Sequence, residues 1–386
     1  MRIAYASMQD PHSLQPWSGI IYTMARALEA NGAEVHYLGP LDTPNSLAYR
    51  IARRGIHLLS GKYLHYRFEP RVLKSYADQV ARALRGVRAD AVLSPGVLPI
   101  TELKIDLPVF GWTDSTFGSA AILEDFRNAL PRSRRNGDRA FRLVADRATH
   151  LFFSSEWAAA SAIGDYGADP GRVSVVPLGA NFSGHFTEPD ADEVFDAIEQ
   201  RKDDVCRLLF VGVRWRGKGG PKAVAIAEAL AARGIRVELH VVGSEPDVPV
   251  PDFVVRHGFL RKGDAEQAAR LRQLYLKSHF FVLPTTDDCF GVVFAEASAF
   301  GVPCFATDVG GVPSAVRDGK NGFAFSLDSP ADHYAAKMAE LLVDRKLYRA
   351  AACSARQEFV GRLNWRTCGA QVMDVIRKAV GQASRR

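Results

Sequence analysis

Three stretches in the second half of the chain hold residues that can do chemistry. The first is Phe210-Val211-Gly212-Val213-Arg214-Trp215-Arg216-Gly217-Lys218-Gly219-Gly220, where a strand-like run meets a helix-like one. Glycines let the backbone close on a ligand, a helix N-terminus draws anions, and Arg214, Arg216 and Lys218 can neutralise a diphosphate. The spacing matches neither Gly-x-x-x-x-Gly-Lys-Ser/Thr nor Gly-x-Gly-x-x-Gly, and alone the stretch reads equally as a solvated basic turn. The second is Asp287-Asp288-Cys289-Phe290-Gly291-Val292-Val293-Phe294-Ala295-Glu296. Asp288 falls near a turn and Glu296 inside a helix. The free N–H groups near Phe290, Gly291 and Val292 should open into the crevice at the carboxyl edge of a parallel sheet. Two such carboxylates suit vicinal hydroxyls, although the pair alone reads also as a helix-start acid plus a surface Glu. The third stretch, Gly310-Gly311-Val312-Pro313 followed by Asp318-Gly319-Lys320-Asn321-Gly322-Phe323, is by itself a loop and a turn.

The elements that must position these residues alternate strand with helix. Strands are expected at Ile3–Ala6, Glu34–Leu38, Ala91–Leu93, Leu107–Phe110, Leu151–Phe153 and Val173–Val176. Ser18 reads as the N-cap of a helix carrying Ile20, Met24 and Leu28, which Asn31-Gly32 ends. The acidic stretch from Asn181 to Val205 interrupts the pattern and reads as a connection. A second series then runs through Arg207–Val211, Val237–Val242, Phe253–Val255, Phe280–Leu283 and Val302–Ala306. Val372, Ile376 and Val380 mark a last amphipathic helix. Such alternation implies parallel βαβ units in two Rossmann-like halves. The expected division is 1–182, a link over 183–206, a second domain over 207–362 and a C-terminal segment over 363–386.

Composition agrees with a folded chain of two such domains. There are 386 residues, 47% hydrophobic and 24% charged, which excludes disordered and collagenous classes. Lys and Arg number 49 against 43 Asp and Glu, a net charge of +6 that suits anionic partners without choosing among them. Five cysteines without a Cys-x-x-Cys pair argue against a disulfide framework or a zinc site. The apolar run near the N-terminus is too short for a signal peptide and no run is long enough to span a bilayer, so a cytoplasmic location is expected. The basic residues lack an interleaved stacking-aromatic array, which disfavours nucleic acid.

In this order the three stretches resemble the C-terminal domain of the retaining GT-B glycosyltransferases of glycosyltransferase family 4. The matching elements are Lys218-Gly219 after the first strand, Asp288-Cys289-Phe290-Gly291-Val292-Val293-Phe294-Ala295-Glu296-Ala297, and Gly301-Val302-Pro303, with the two Gly-rich turns beyond. The resemblance runs from Arg207 to Phe325. It is looser in the first half, through Trp17-Ser18-Gly19 and Val176-Pro177-Leu178-Gly179. Three positions depart from the family pattern. Asp288 stands where Glu is usual. Val213 stands where an Arg often follows the strand's Gly, so Arg214 or Arg216 must supply that charge. Asp114, in Pro108-Val109-Phe110-Gly111-Trp112-Thr113-Asp114, stands where many members have a His; His12 and His150 are other polar candidates.

The resemblance implies an α/β GT-B fold: two Rossmann-like domains facing a cleft, with a C-terminal helix returning to the first. It implies transfer of a sugar from a nucleotide-diphospho-sugar to a hydroxyl of a glycan or lipid-linked acceptor, with retention and with neither metal nor cofactor. Asp114, Lys218 and Asp288 would be the catalytic residues. Gly19, Arg214, Arg216, Lys218 and the N–H groups of Phe290, Gly291 and Val292 would hold the diphosphate, Asp288 the sugar and Glu296 the ribose. His257, Gly258, Phe259 and Leu260 would meet the base. Arg50, Arg53, Arg54, Lys62, Arg67, Arg71 and Lys74 form either a solvated face or a surface for peripheral contact with an anionic membrane. Two rival readings stay open: a GT-B nucleotide-sugar epimerase, and a catalytically weakened GT-B binding subunit.

Overall fold

The structure, a computed structural model, describes residues 1–201 and 204–383. Positions 202 and 203 of the expected link and 384–386 of the expected C-terminal segment lie outside the described residues. The chain divides into two compact units, one of Met1–Pro177 together with the chain from Trp365, the other of Leu178–Asn364.

The first unit runs β1 (Arg2–Ala6), α1 (Ile20–Ala30), β2 (Glu34–Leu38), α2 (Ser46–Ser60), α3 (Pro70–Leu84), β3 (Ala91–Pro95), β4 (Val109–Thr113), α4 (Glu124–Arg127), α5 (Pro131–Arg147), β5 (His150–Phe153), α6 (Glu156–Gly164) and β6 (Val173–Val175). All strands are parallel, in the order β2-β1-β3-β4-β5-β6. Central strands such as Ala91–Pro95 are buried throughout, as a sheet covered on both faces requires, and the one polar side chain there, Ser94, donates its hydroxyl to the Ala6 carbonyl. Val72, Tyr76 and Val80 of α3 join Val92, Leu151 and Phe153 of the sheet in one core cluster.

The second unit runs α7 (Ala191–Gln200), β7 (Cys206–Val211), α8 (Gly220–Ala231), β8 (Val237–Val242), β9 (Val254–Arg256), α9 (Ala265–Lys277), β10 (Phe280–Leu283), α10 (Val292–Ala299), β11 (Cys304–Thr307), α11 (Val312–Ala315), β12 (Gly322–Phe325), α12 (Ala331–Val343) and α13 (Arg345–Arg362). Its parallel sheet has the order β12-β11-β10-β7-β8-β9. The chain then returns to the first unit as α14 (Trp365–Ala383), which packs on α1 through buried Cys368, Val372, Met373 and Ile376. A Cβ on Gly369 would come within 2.6 Å of the Ala27 carbonyl, so the two helices approach backbone to backbone.

Several expectations are corrected. The stretch expected as a link contains α7, whose Val194 and Ile198 are buried while Asp192, Asp196 and Glu199 face solvent. Its acidity is that of an exposed helix face. Arg201 beyond it is 3% exposed and donates to the carbonyls of Leu276, Phe300 and Gly301, fastening this segment inside the second unit. β4 begins after Pro108 and β11 after Pro303, later than expected, because proline has no N–H for the ladder. The helix expected to be capped by Ser18 starts instead from Gly19. The turn at Asp318–Phe323 leads into β12, an edge strand that the sequence reading lacked.

Candidate active site

In each sheet the strand order reverses once. In an open parallel sheet, the loops leaving the two strands at that point diverge and open a crevice at the carboxyl edge. In the second unit the reversal lies between β7 and β10. The loop after β7 carries Arg214, Arg216 and Lys218; the loop after β10 carries Asp287, Asp288 and the start of α10.

Lys218 Nζ lies 2.6 Å from Asp288 Oδ2, with both side chains largely buried. Arg214 pairs with Asp287, which is 6% exposed, and Arg216 pairs with Asp247 on the exposed rim. All three expected diphosphate cations therefore sit against carboxylates. Thr285 and Thr286 donate their hydroxyls to the Gly217 carbonyl and hold the two loops together. Gly219 fixes the approach: its φ is +78°, and a Cβ there would lie 1.9 Å from the Pro284 carbonyl oxygen. Val213, where the family usually has Arg, points to solvent at 65% exposure.

The three N–H groups expected at the start of α10 differ from one another. Phe290 N–H donates to Asp288 Oδ1 at 3.3 Å, and the Phe290 side chain is buried. Gly291, at φ +81°, starts the helix, and neither its N–H nor that of Val292 has a protein acceptor among the described residues. These two donors are left for an anion. Gly311 N–H reaches the Asp288 carbonyl at 3.1 Å, so the Gly310-Gly311 loop helps fix that residue.

Glu296 on α10 is 2% exposed. Lys262 Nζ lies 2.5 Å from its Oε1, and Tyr275 Oη donates to Oε2 at 3.1 Å. Lys262 also donates to the Asn181 carbonyl and lies over the Phe186 ring. Nothing in the sequence pointed to Lys262 or Tyr275, which are brought to Glu296 from the loop after β9 and from α9. In the expected base region, His257 Nε2 is 3.0 Å from His240 Nδ1, Gly258 has φ +63°, Leu260 is buried and Phe259 is 60% exposed. Burial pushes the His257 imidazole down to about 4, with further lowering from His240 and Arg270.

In the first unit the reversal lies between β1 and β3. Asp114 follows β4 there, with Oδ2 accepting from Trp17 Nε1 at 3.2 Å and Oδ1 from Ser115 Oγ at 3.1 Å. Trp17, Ser18 and Gly19 have φ of +48°, +54° and +83°, one left-handed turn in which two residues are not glycine. Backbone strain of this kind gathers at functional loops. His12 tilts against Tyr37, and His150 is held by Ser174, so neither joins Asp114. Among the described residues no cluster of three or more His, Cys, Asp or Glu is placed to hold a metal ion, and no helix is long and apolar enough to cross a membrane.

Comparison with known proteins decides the family. A model of "Glycosyltransferase Family 4" matches residues 20–183 and one of "Glycosyl transferases group 1" matches residues 192–344, one in each unit. The chain belongs to glycosyltransferase family 4. It is 32% identical over 276 residues to a D-inositol 3-phosphate glycosyltransferase of Geodermatophilus obscurus, covering 66% of this chain and 59% of that one. It is 28% identical over 228 residues to an alpha-maltose-1-phosphate synthase of Mycolicibacterium smegmatis, covering 54% of this chain and 58% of that one. The chain thus spans between half and three fifths of the length of these curated relatives.

The family 4 assignment agrees with the fold. Sucrose-phosphate synthase from Thermosynechococcus elongatus superposes with a TM-score of 0.69 at 17% identity, covering 99% of both chains. Anabaena HepE in complex with UDP superposes with 0.65 at 15% identity, covering 98% of this chain and 100% of the other. Two Rossmann-like units with a returning C-terminal helix are the GT-B architecture.

Proposed function

We propose that this family 4 chain moves a sugar from a nucleotide-diphospho-sugar to an acceptor hydroxyl, retaining the anomeric configuration and needing no divalent metal. The observation that carries this is the junction of Lys218, Asp288 and the two unengaged N–H groups of Gly291 and Val292 where the second sheet reverses. Leaving-group departure breaks the bond between the anomeric carbon and the diphosphate and builds negative charge there. Preorganised cations and N–H dipoles stabilise that charge without reorganising. Lys218 is the catalytic cation. Arg214, braced by buried Asp287, takes the place of the missing Arg at Val213; Arg216 sits further out on the rim. The acceptor oxygen bonds to the anomeric carbon on the face the diphosphate leaves, and its proton passes to the leaving phosphate oxygen.

Asp288 holds sugar hydroxyls with the lone pairs that Lys218 and the Phe290 N–H leave unused, and Glu296 holds the ribose in the same manner. Phe259, exposed after β9, stacks on the base. Asp114 receives the acceptor hydroxyl. No separate cofactor is needed.

The test is donor turnover by the purified chain with UDP-, GDP- and ADP-sugars in excess EDTA. Release of nucleoside diphosphate coupled to a new glycoside of unchanged anomeric configuration supports the reading. Activity lost in EDTA and restored by Mg²⁺ or Mn²⁺ overturns its metal-free part, and epimerised donor without acceptor dependence favours the epimerase.

The acceptor side carries a membrane reading as well. No residue of α2 is buried, and Leu47, Ile51, Leu58 and Leu59 are 66–91% exposed. Leu47, Ile51 and Leu58 share one stripe at helical spacing, with Arg50 and Arg54 along its edge. An apolar stripe edged by arginine suits the interface of an anionic bilayer.

A further inference from the structure

The cleft at the carboxyl edge of the first unit's sheet encloses about 420 Å³. The proposed reaction uses it only through Asp114. Its floor is formed by Ser7, Pro95 and Asp114, at the ends of β1, β3 and β4, on both sides of the strand-order reversal.

One wall is aromatic. His65, Phe117 and Phe126 pack on one another with ring centroids 4.3–5.8 Å apart, and Phe68 stands edge-on to Phe117 at 4.9 Å. His65 Nε2 meets the Asp125 carbonyl at 3.0 Å. Burial lowers the His65 pKa, so the ring is neutral near pH 7.

The mouth is cationic. Arg53 of α2 and Arg67 line the cleft, and both are exposed. Neither belongs to an ion pair among the described residues, whereas nearby Arg132 and Arg139 are paired with Glu69 and Glu102. Two unpaired guanidinium forks at the rim of an aromatic wall ask for two features in one ligand. A neutral sugar would leave both guanidinium groups in water. Inorganic phosphate would use the guanidinium groups but leave the rings wet.

We infer that this cleft binds an acceptor bearing a phosphate or carboxylate on an apolar body, with its hydroxyl delivered to Asp114. The inference rests on the glycosyl-transfer reading, whose acceptor class it names. The body is either a ring or an alkyl chain, and the probes below distinguish them.

The test is calorimetric titration of the full chain with phenyl phosphate, decyl phosphate below its micellar concentration, phenol and inorganic phosphate. Phenyl or decyl phosphate should bind at least tenfold more tightly than either phenol or inorganic phosphate, and the tighter of the two identifies the body. In an Arg53→Gln/Arg67→Gln chain that advantage over phenol should vanish. Equal binding of inorganic phosphate, equal binding of phenol, or an undiminished advantage in the double variant would overturn the inference. UDP, GDP and ADP titrated into the unsubstituted chain decide the donor reading separately. If none binds, that reading fails whatever the phosphate esters do; if one binds and the esters do not, only the cleft inference fails.

Discussion

Lys218 and Asp288 meet at 2.6 Å across the one place where the second sheet reverses its strand order. The cation proposed for the leaving diphosphate and the carboxylate proposed for the sugar are thereby in direct contact. Lys218→Ala should lower turnover on the order of 100-fold, as for the loss of one preorganised donor. Because residues in contact act non-additively, adding Asp288→Asn should cost clearly less than its single effect. Steady-state kinetics of the four chains in that cycle measure it, and strict additivity would mean that the two act separately.

The same pairing separates two ligands. Asp288→Asn should weaken a nucleotide-sugar by about 1.5–3 kcal/mol, the worth of a hydrogen bond to a charged group. The bare nucleoside diphosphate should bind as tightly as before, because Lys218 is released from its partner. Glu296→Gln should weaken both ligands, since they share the ribose. Calorimetry with each pair reads the division directly; equal losses for Asp288→Asn on both ligands would count against it.

Glu296 is held by Lys262, which is itself only a quarter exposed. Lys262→Met strands a buried carboxylate and should destabilise the fold by roughly 2–3 kcal/mol, below the usual cost for a fully buried pair. Lys262→Met combined with Glu296→Gln should recover much of that loss. Urea unfolding of the three chains supplies the comparison.

His257 and His240 give the second unit an acid-sensitive patch, with Glu238, Arg207 and Arg270 around them. Burial lowers both imidazoles, His257 to about 4 against an ordinary 6.5. Between those values the unfolded chain binds more protons than the fold. The stabilisation is therefore complete above about pH 6.5 and is lost as the pH falls toward about 4. Melting temperatures should fall across that window, and His257→Gln should flatten the slope.

The α2 surface predicts sedimentation with vesicles containing phosphatidylglycerol and not with phosphatidylcholine alone. Arg50→Gln/Arg54→Gln should reduce partitioning roughly 30-fold, at about 1 kcal/mol per cation. Leu58→Asp/Leu59→Asp should abolish it. Equal binding to neutral vesicles would remove the charge argument.

Much of the fold was legible because buried parallel strands are short apolar runs, as at Ala91–Leu93 and Phe280–Leu283. The strand starts expected at Leu107 and Val302 fall two residues before the observed Val109 and Cys304, because hydrophobicity says nothing of the missing N–H of Pro108 and Pro303. α7 was hidden by its charge: only Val194 and Ile198 face inward on that helix. In the site, the turn glycines and the Asp288–Glu296 spacing stood out because each belongs to one loop or helix. The partners Lys262 of Glu296 and Trp17 of Asp114 lie far away in sequence and are joined only by the topology. The basic run from Arg50 to Lys74 contained Arg53 and Arg67, but nothing in the sequence placed them beside Phe117 and Phe126.

The return of α14 to the first unit orders events during synthesis. A ribosome releases all of the second unit before it delivers the helix that covers α1. Until Trp365–Ala383 emerges, the α1 surface that receives Cys368, Val372, Met373 and Ile376 stays open to water. The nascent chain thus carries a complete later unit inside an unfinished earlier one. Its window for chaperone capture closes only with α14.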